Sequence, residues 1–283
     1  MHLAQIWTYP VKSMKGVVIE SAQLQELGVV GDLRWALRDL ERGNLANCRQ
    51  TPGIMSLAAS AAHDSPEDHV VITLDDHRTV TSSDPSVHEV LSQALGRQVQ
   101  LVPLAPRDDL DFFRRKPASQ PPVDPMAELR GIFGRESDEP LPDFAKFGAG
   151  VLEFESPPGT FHDCFPLMVM TTSALQSMTH AVPGSVIDVR RFRPSFVVDT
   201  GDEPGHPEFS WAGRRFAVGT AVIEVVNDCP RCAAITKQVG PDVPADRDIL
   251  RHVVRDLGQA VGVYCNVVQS GSIATGDAFT PLP

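Results

Sequence analysis

Apolar residues in the first hundred positions fall in short clusters broken by Gly, Asp and Asn. Val17-Val18-Ile19, Trp35-Ala36-Leu37 and Val70-Val71-Ile72-Thr73-Leu74 are β-branched or aromatic runs, which predicts short strands. A helix is predicted over Ser86–Leu95, because Val87, Val90, Leu91 and Ala94 share one face and Gly96 stands where a helix stops. From Pro106 to Ala149 the pattern changes. Arg107-Asp108-Asp109, Arg114-Arg115-Lys116, Pro121-Pro122 and Asp138-Glu139-Pro140 make a charged, proline-rich stretch with the character of a linker or surface excursion.

Apolar runs return with Pro166–Met170, predicted as a strand. Thr171-Thr172-Ser173 then stand at the N-cap of a helical pattern through Leu175 and Met178. Further strands are predicted at Phe196–Val198, Phe216–Val218, Ala221–Val226 and Tyr264–Val268, with a second helix over Asp246–Leu257 and a closing turn at Gly276–Phe279. Many strands, few helices and no βαβ rhythm point to a strand-rich, barrel-centred α+β fold. The parts are expected at 1–105, 106–149 and 150–283.

With 283 residues, two domains are the default expectation. Hydrophobic residues at 42% and charged residues at 22% allow a sizeable core. The net charge of −11 argues against a general nucleic-acid binder, since phosphate contacts need a basic surface. No run of eighteen apolar residues is present, and the first residues lack the charged and apolar regions of a signal peptide. Five cysteines, an odd number in a long chain, fit a reducing compartment, so a cytoplasmic protein without a membrane partner is expected.

Candidate chemistry centres on Cys229-Pro230-Arg231-Cys232, at the end of the run Ala221–Val226. A guanidinium between two cysteines is expected to favour thiolate, the form that binds metal or attacks. A closed zinc site needs about four Cys or His ligands, and Cys48, Cys164 and Cys265 are scattered singly. A thioredoxin-like pair needs a strand-to-helix junction, and Ala233-Ala234-Ile235-Thr236 followed by Gly and Pro does not read as a helix start. Lys12-Ser13, Arg49, Arg190-Arg191, Arg193 and Arg231 each stand in a loop-like position beside a strand. Brought together in an acidic chain, they would make an anion or phosphate pocket, to which the Thr171-Thr172-Ser173 helix start could add donors.

Taken in order, several segments resemble the MOSC family with its N-terminal MOSC-associated region. They are Tyr9–Gly16, Gly31-Asp32-Leu33-Arg34-Trp35, Arg49-Gln50-Thr51-Pro52, Asp163 with Pro166, Arg191-Phe192-Arg193-Pro194, Trp211 with Gly213, Cys229–Cys232 and Gly271–Asp277. They span almost the whole chain. The resemblance implies a β-barrel MOSC domain and a molybdenum cofactor (Mo-molybdopterin), with Cys232 as metal ligand and catalytic centre and Cys229 in support. It places Lys12, Ser13, Thr171, Thr172, Ser173, Arg193, Arg231 and Tyr264 around the pterin and its phosphate, with Arg49 and Asp163 as further candidates. Two positions depart from the family pattern. Leu33 stands where a cofactor-contacting arginine is expected, and Ser195 replaces an asparagine while keeping a donor and an acceptor of shorter reach.

The implied activity is that of the amidoxime-reducing type: reduction of N-hydroxylated or N-oxide compounds. The chain has no cysteine-rich iron–sulfur segment, so electrons are expected from a separate ferredoxin-, flavodoxin- or cytochrome-like carrier, with Arg114-Arg115-Lys116 as a candidate docking patch. The rival reading is a cofactor or sulfur carrier with a persulfide on Cys232 and no turnover.

Overall fold

Short β-branched runs, most of them half-buried, fold into four sheets joined by short helices. The computed structural model describes residues 1–62, 69–116, 124–147 and 150–283. The strands are β1 (His2–Thr8), β2 (Val17–Ile19), β3 (Ser21–Gln25), β4 (Gly28–Val29), β5 (Trp35–Asp39), β6 (Ala58–Ala61), β7 (Val70–Thr73), β8 (Thr79–Thr81), β9 (Val99–Pro103), β10 (Leu167–Thr171), β11 (Phe196–Asp199), β12 (Arg215–Val218), β13 (Ala221–Pro230), β14 (Ala260–Gln269), β15 (Gly271–Ala274) and β16 (Phe279–Pro281). The helices are α1 (Val87–Leu95), α2 (Leu110–Phe113), α3 (Pro125–Phe133), α4 (Gly150–Glu153), α5 (Thr172–Ala181), α6 (Val189–Phe192) and α7 (Asp248–Asp256). The architecture is a strand-rich mix of α and β elements.

Eight strands form the largest sheet, in the order β16-β12-β13-β14-β10-β11-β1-β2; the others are β15-β3-β4, β5-β9 and β6-β7-β8. The N-terminal strand thus lies inside the sheet built mostly from the C-terminal half. Its apolar residues Leu3 and Ile6 join the core of Phe196, Phe216, Ile223 and Val263. A second core gathers Leu37, Ile54, Ile72, Leu91 and Leu101, closed by Val239 and Val243 from far along the chain. No helix among the described residues is long and apolar enough to cross a membrane.

Helix α1 ends where expected, with Gly96 in the left-handed region at φ 60°. The absence of a βαβ rhythm needs correction. β10 and β11 pair in parallel, with α5 on the connection between them. All five residues of β10 are buried, so its side chains show a continuous apolar run instead of alternation. In the stretch read as a linker, α3 begins at an Asp124 N-cap, and Arg135 and Glu139 are buried beyond its end. Pro121-Pro122 lies outside the described residues.

Candidate functional site

β13 runs four residues past its expected end, and irregular register at Val225/Asn227 and Asp228/Pro230 bends it there. Cys229 is buried at this bend. Cys232 follows, half-buried, at the N-cap of a short 3-10 turn, Ala233–Thr236, where no helix start had been read. Arg231 Nη1 donates to Cys229 Sγ at 2.9 Å, so the intervening arginine serves the first cysteine. Burial nonetheless raises the Cys229 thiol above its ordinary value, with Arg231 and a hydrogen bond from Tyr264 opposing. The guanidinium facing Cys232 belongs to Arg49, whose Nη1 lies 3.8 Å from Sγ.

Cys232 opens onto a pocket that gathers Lys12, Ser13, Arg49, Arg193, Ser195, Arg231 and Tyr264, all expected at the site. Each is set by its backbone. The Asn47 side chain caps its own turn by accepting the Arg49 N–H at 3.1 Å. Arg193 ends α6 in the left-handed region at φ 57°, and its guanidinium lies 4.2 Å over the Tyr9 ring while donating to the Met14 carbonyl. Gly16 permits this stack, because a Cβ there would lie 2.5 Å from the Tyr9 ring. Tyr9 itself donates through its hydroxyl to the Pro194 carbonyl at 2.9 Å. Ser195 Oγ accepts the Met168 N–H at 3.2 Å, and Tyr264 stacks on Phe165 at 4.9 Å.

The pocket is cationic although the chain is acidic: five Lys and Arg side chains line it against two carboxylates. One of the five, Arg191, is spent on the Val186, Lys237 and Pro244 carbonyls and holds loops together. Lys12 Nζ donates to Asp163 Oδ1 and to the Phe161 carbonyl, both at 2.6 Å. Its ammonium holds Asp163 well below the usual carboxylate range. Burial pushes the second carboxyl, Asp32, up to about 6, although it accepts the Tyr9 N–H at 2.6 Å. His162 is pushed down to about 4 by the same cause. Arg231 Nε is buried with no hydrogen-bond partner in the protein.

Thr171, Thr172 and Ser173, also expected at the site, are not among the residues lining this pocket. Thr171 caps Ala174 N–H and donates to the buried Glu208 at 2.7 Å; Thr172 faces Asp199, and Ser173 bonds Thr200. Carboxylates already occupy that helix start, so a phosphate there would meet like charge. Pocket residues not singled out as site residues from sequence include Tyr9, Asp32, Asn47, Cys48, His162 and Cys164. Tyr9 and Asp32 stand within quoted segments, and the signal that marks them is long-range contact. Arg114 pairs with Glu153 at 3.0 Å and is not a free cation.

All five cysteines are free thiols, and no group of three His, Cys, Asp or Glu residues among those described is arranged to hold a metal. Cys232 can therefore supply one soft ligand to a metal whose other ligands arrive with a bound group. The unpartnered Arg231 Nε and the surrounding cations suit a group that is anionic. A molybdenum–pterin carrying dithiolene sulfurs and a phosphate fits this donor set.

Comparisons with known proteins identify the family. The MOSC domain family matches residues 157–280, and the MOSC N-terminal beta barrel domain family matches residues 1–103. Mitochondrial amidoxime reducing component 2 of Macaca fascicularis is 23% identical over 302 residues, covering 97% of this chain and 82% of that protein. Among solved structures, YiiM from Geobacillus stearothermophilus matches 42% of this chain and 55% of its own at a TM-score of 0.31 and 18% identity. The YUAD protein from Bacillus subtilis matches 98% and 92% at 0.41 and 12%. Scores this low carry no argument.

Proposed function

The chain belongs to the MOSC family, with the N-terminal MOSC region ahead of the MOSC domain, and from that premise we propose that it is a molybdenum-cofactor-dependent reductase of N-hydroxylated or N-oxide compounds. The observation that carries the reading is a half-buried cysteine, Cys232, with the Arg49 guanidinium beside its sulfur, opening on a cationic pocket in an acidic chain. The full-length likeness to an amidoxime reducing component supports the choice of substrate bond.

When bound, the molybdenum centre would supply two-electron reduction and accept the oxygen of an N–O bond. Cys232 would ligate the metal. Arg49 beside it would neutralise part of the thiolate charge, since a guanidinium stabilises a nearby anion. Arg231 would donate its free Nε–H, and Arg193, rigid over Tyr9, would present its remaining donors to phosphate or pterin oxygens. Lys12 is committed to Asp163 and Phe161, so its part is to keep that carboxylate paired and the pocket's charge positive. Leu33, in the left-handed region at φ 47°, presents an apolar side chain at the rim. An uncharged face there favours the organic part of a substrate over a second anion. The same reading takes the eight-stranded sheet as the core of a barrel and places the protein in the cytoplasm. Electrons would come from a separate ferredoxin-, flavodoxin- or cytochrome-like protein.

Turnover tests this directly. Protein made in cells competent for cofactor synthesis, reduced by a viologen dye, should convert benzamidoxime or hydroxylamine to the amine level, and Cys232→Ala should abolish it. No turnover together with sulfane sulfur on Cys232 would replace the reductase by a sulfur carrier.

A further inference from the structure

Residues 104–156 lie outside both matched family regions, yet one side chain of this stretch ends on the backbone of the cysteine turn. Arg135, just after α3, is 6% exposed. Its Nη2 donates to the Arg231 carbonyl at 3.0 Å and to Gln259 Oε1 at 3.1 Å. Nε donates to Gln259 Oε1 and to the Pro140 carbonyl, both at 3.2 Å, and Nη1 to the Phe133 carbonyl at 2.5 Å. A buried guanidinium is stable only when its donors are matched, and here all three nitrogens are.

Gln259 completes the grip from the other side. Its backbone carbonyl accepts the Arg231 N–H at 2.8 Å, and it holds the left-handed conformation at φ 74°. Both backbone polar groups of Arg231 are therefore taken, the N–H by Gln259 and the carbonyl by Arg135. That carbonyl belongs to the peptide joining Arg231 to Cys232. The arginine's own segment is braced in turn. Arg251 donates to Glu139 and to the Gly134 carbonyl, and Arg255 bonds Glu136 at 3.0 Å. Neither Arg135 nor Gln259 lines the pocket; both reach it through the backbone of Arg231, which does.

We propose that Arg135, with Gln259, is a positioning residue that locks the Arg231–Cys232 peptide and so fixes the Cys232 thiol toward the pocket beside Arg49. The proposal rests on the reading of Cys232 as the metal ligand for its meaning in catalysis, while the locking itself is testable without metal. It also assigns a role to the stretch between the two family regions.

Hydrogen exchange on cofactor-free protein, read by mass spectrometry on peptides covering 228–236, tests it. Arg135→Gln should speed exchange in that peptide by roughly tenfold or more, with peptides covering 35–39 and 99–103 unchanged. Arg135→Lys should fall between, since an ammonium reaches the Arg231 carbonyl but lacks the planar fork that also serves Gln259. In protein loaded with cofactor, the same order should appear in the rate of molybdenum loss. Unchanged exchange at 228–236, or equal acceleration across the whole chain, would overturn the proposal. If Arg135→Gln does not fold, Gln259→Ala and Arg135→Lys carry the same comparison. Wild-type protein that never takes up molybdenum would sink the reductase reading and leave the exchange result standing.

Discussion

Replacing Lys12 with methionine keeps a long apolar stem and removes the ammonium that donates to Asp163 and Phe161. The two partners lose unequally. The Lys12 side chain is 10% exposed, whereas Asp163 retains 60% of its exposure. Breaking a fully buried pair costs about 3–5 kcal/mol, and an exposed pair is worth about 0–1 kcal/mol. Asp163 can turn to water, so its share sits near the lower figure. The Phe161 carbonyl, in contrast, loses a charged donor, worth about 1.5–3 kcal/mol. Lys12→Met should lose about 2–3 kcal/mol at pH 7, or roughly 3–5 °C in Tm for a chain of this length. The sign with pH follows from Asp163, whose folded value lies below its ordinary 3.8. Its stabilisation is complete above that ordinary value and is lost as pH falls through the folded value. The gap between wild type and variant should hold from pH 8 to 5 and shrink below about pH 4. Part of it should persist, because the bond from Lys12 to the Phe161 carbonyl does not titrate in this range. Urea unfolding of cofactor-free protein across that range measures it. A gap under about 0.5 kcal/mol at pH 7, against the 1.5–3 expected of a charged bond, would refute the assignment. A gap that widens in acid would do the same.

Asp32→Asn should act in the opposite direction. Burial raises the Asp32 carboxyl to about 6, so the folded state favours its proton. That stabilisation is present below the ordinary 3.8 and is lost as pH rises through about 6. Asparagine still accepts the Tyr9 N–H, so the variant should gain about 1–2 kcal/mol on wild type between pH 4 and 7.5, measured by urea unfolding; an unchanged difference contradicts the burial argument. Thr171→Val should lose a helix cap and strand Glu208, costing about 2–4 kcal/mol, while molybdenum per folded chain stays at the wild-type level. A fall in metal with stability intact would return Thr171 to the cofactor site.

Runs of apolar residues and helical spacing located α1, α5, α7 and eight of the sixteen strands among the described residues. They missed β1 as a strand. The register shift between Leu3 and Gln5 breaks the alternation that would mark it, and one of its two partners, β11, lies almost two hundred residues away. The cysteine turn and the basic residues could be singled out because CxxC and a set of Lys and Arg beside strand ends stand out in an acidic chain, while long-range contacts decide that Arg49 faces the pocket and Arg191 holds loops. Thr171–Ser173 have other partners than the pocket for a physical reason. A hydroxyl at a helix start serves an anion and a neighbouring buried carboxylate equally well, and only the fold puts Glu208 there. Arg135 was hidden in a stretch whose charge and proline content resemble a solvated linker, because the contacts that bury it come from Arg231 and Gln259.

Metal content tests the central claim most directly. Protein and its Cys232→Ala variant, both from cells competent for cofactor synthesis, would be compared by plasma mass spectrometry. Near-stoichiometric molybdenum in the wild type, falling steeply or losing its thiolate signature in the variant, is the predicted result. Zinc or no metal in both would contradict the account.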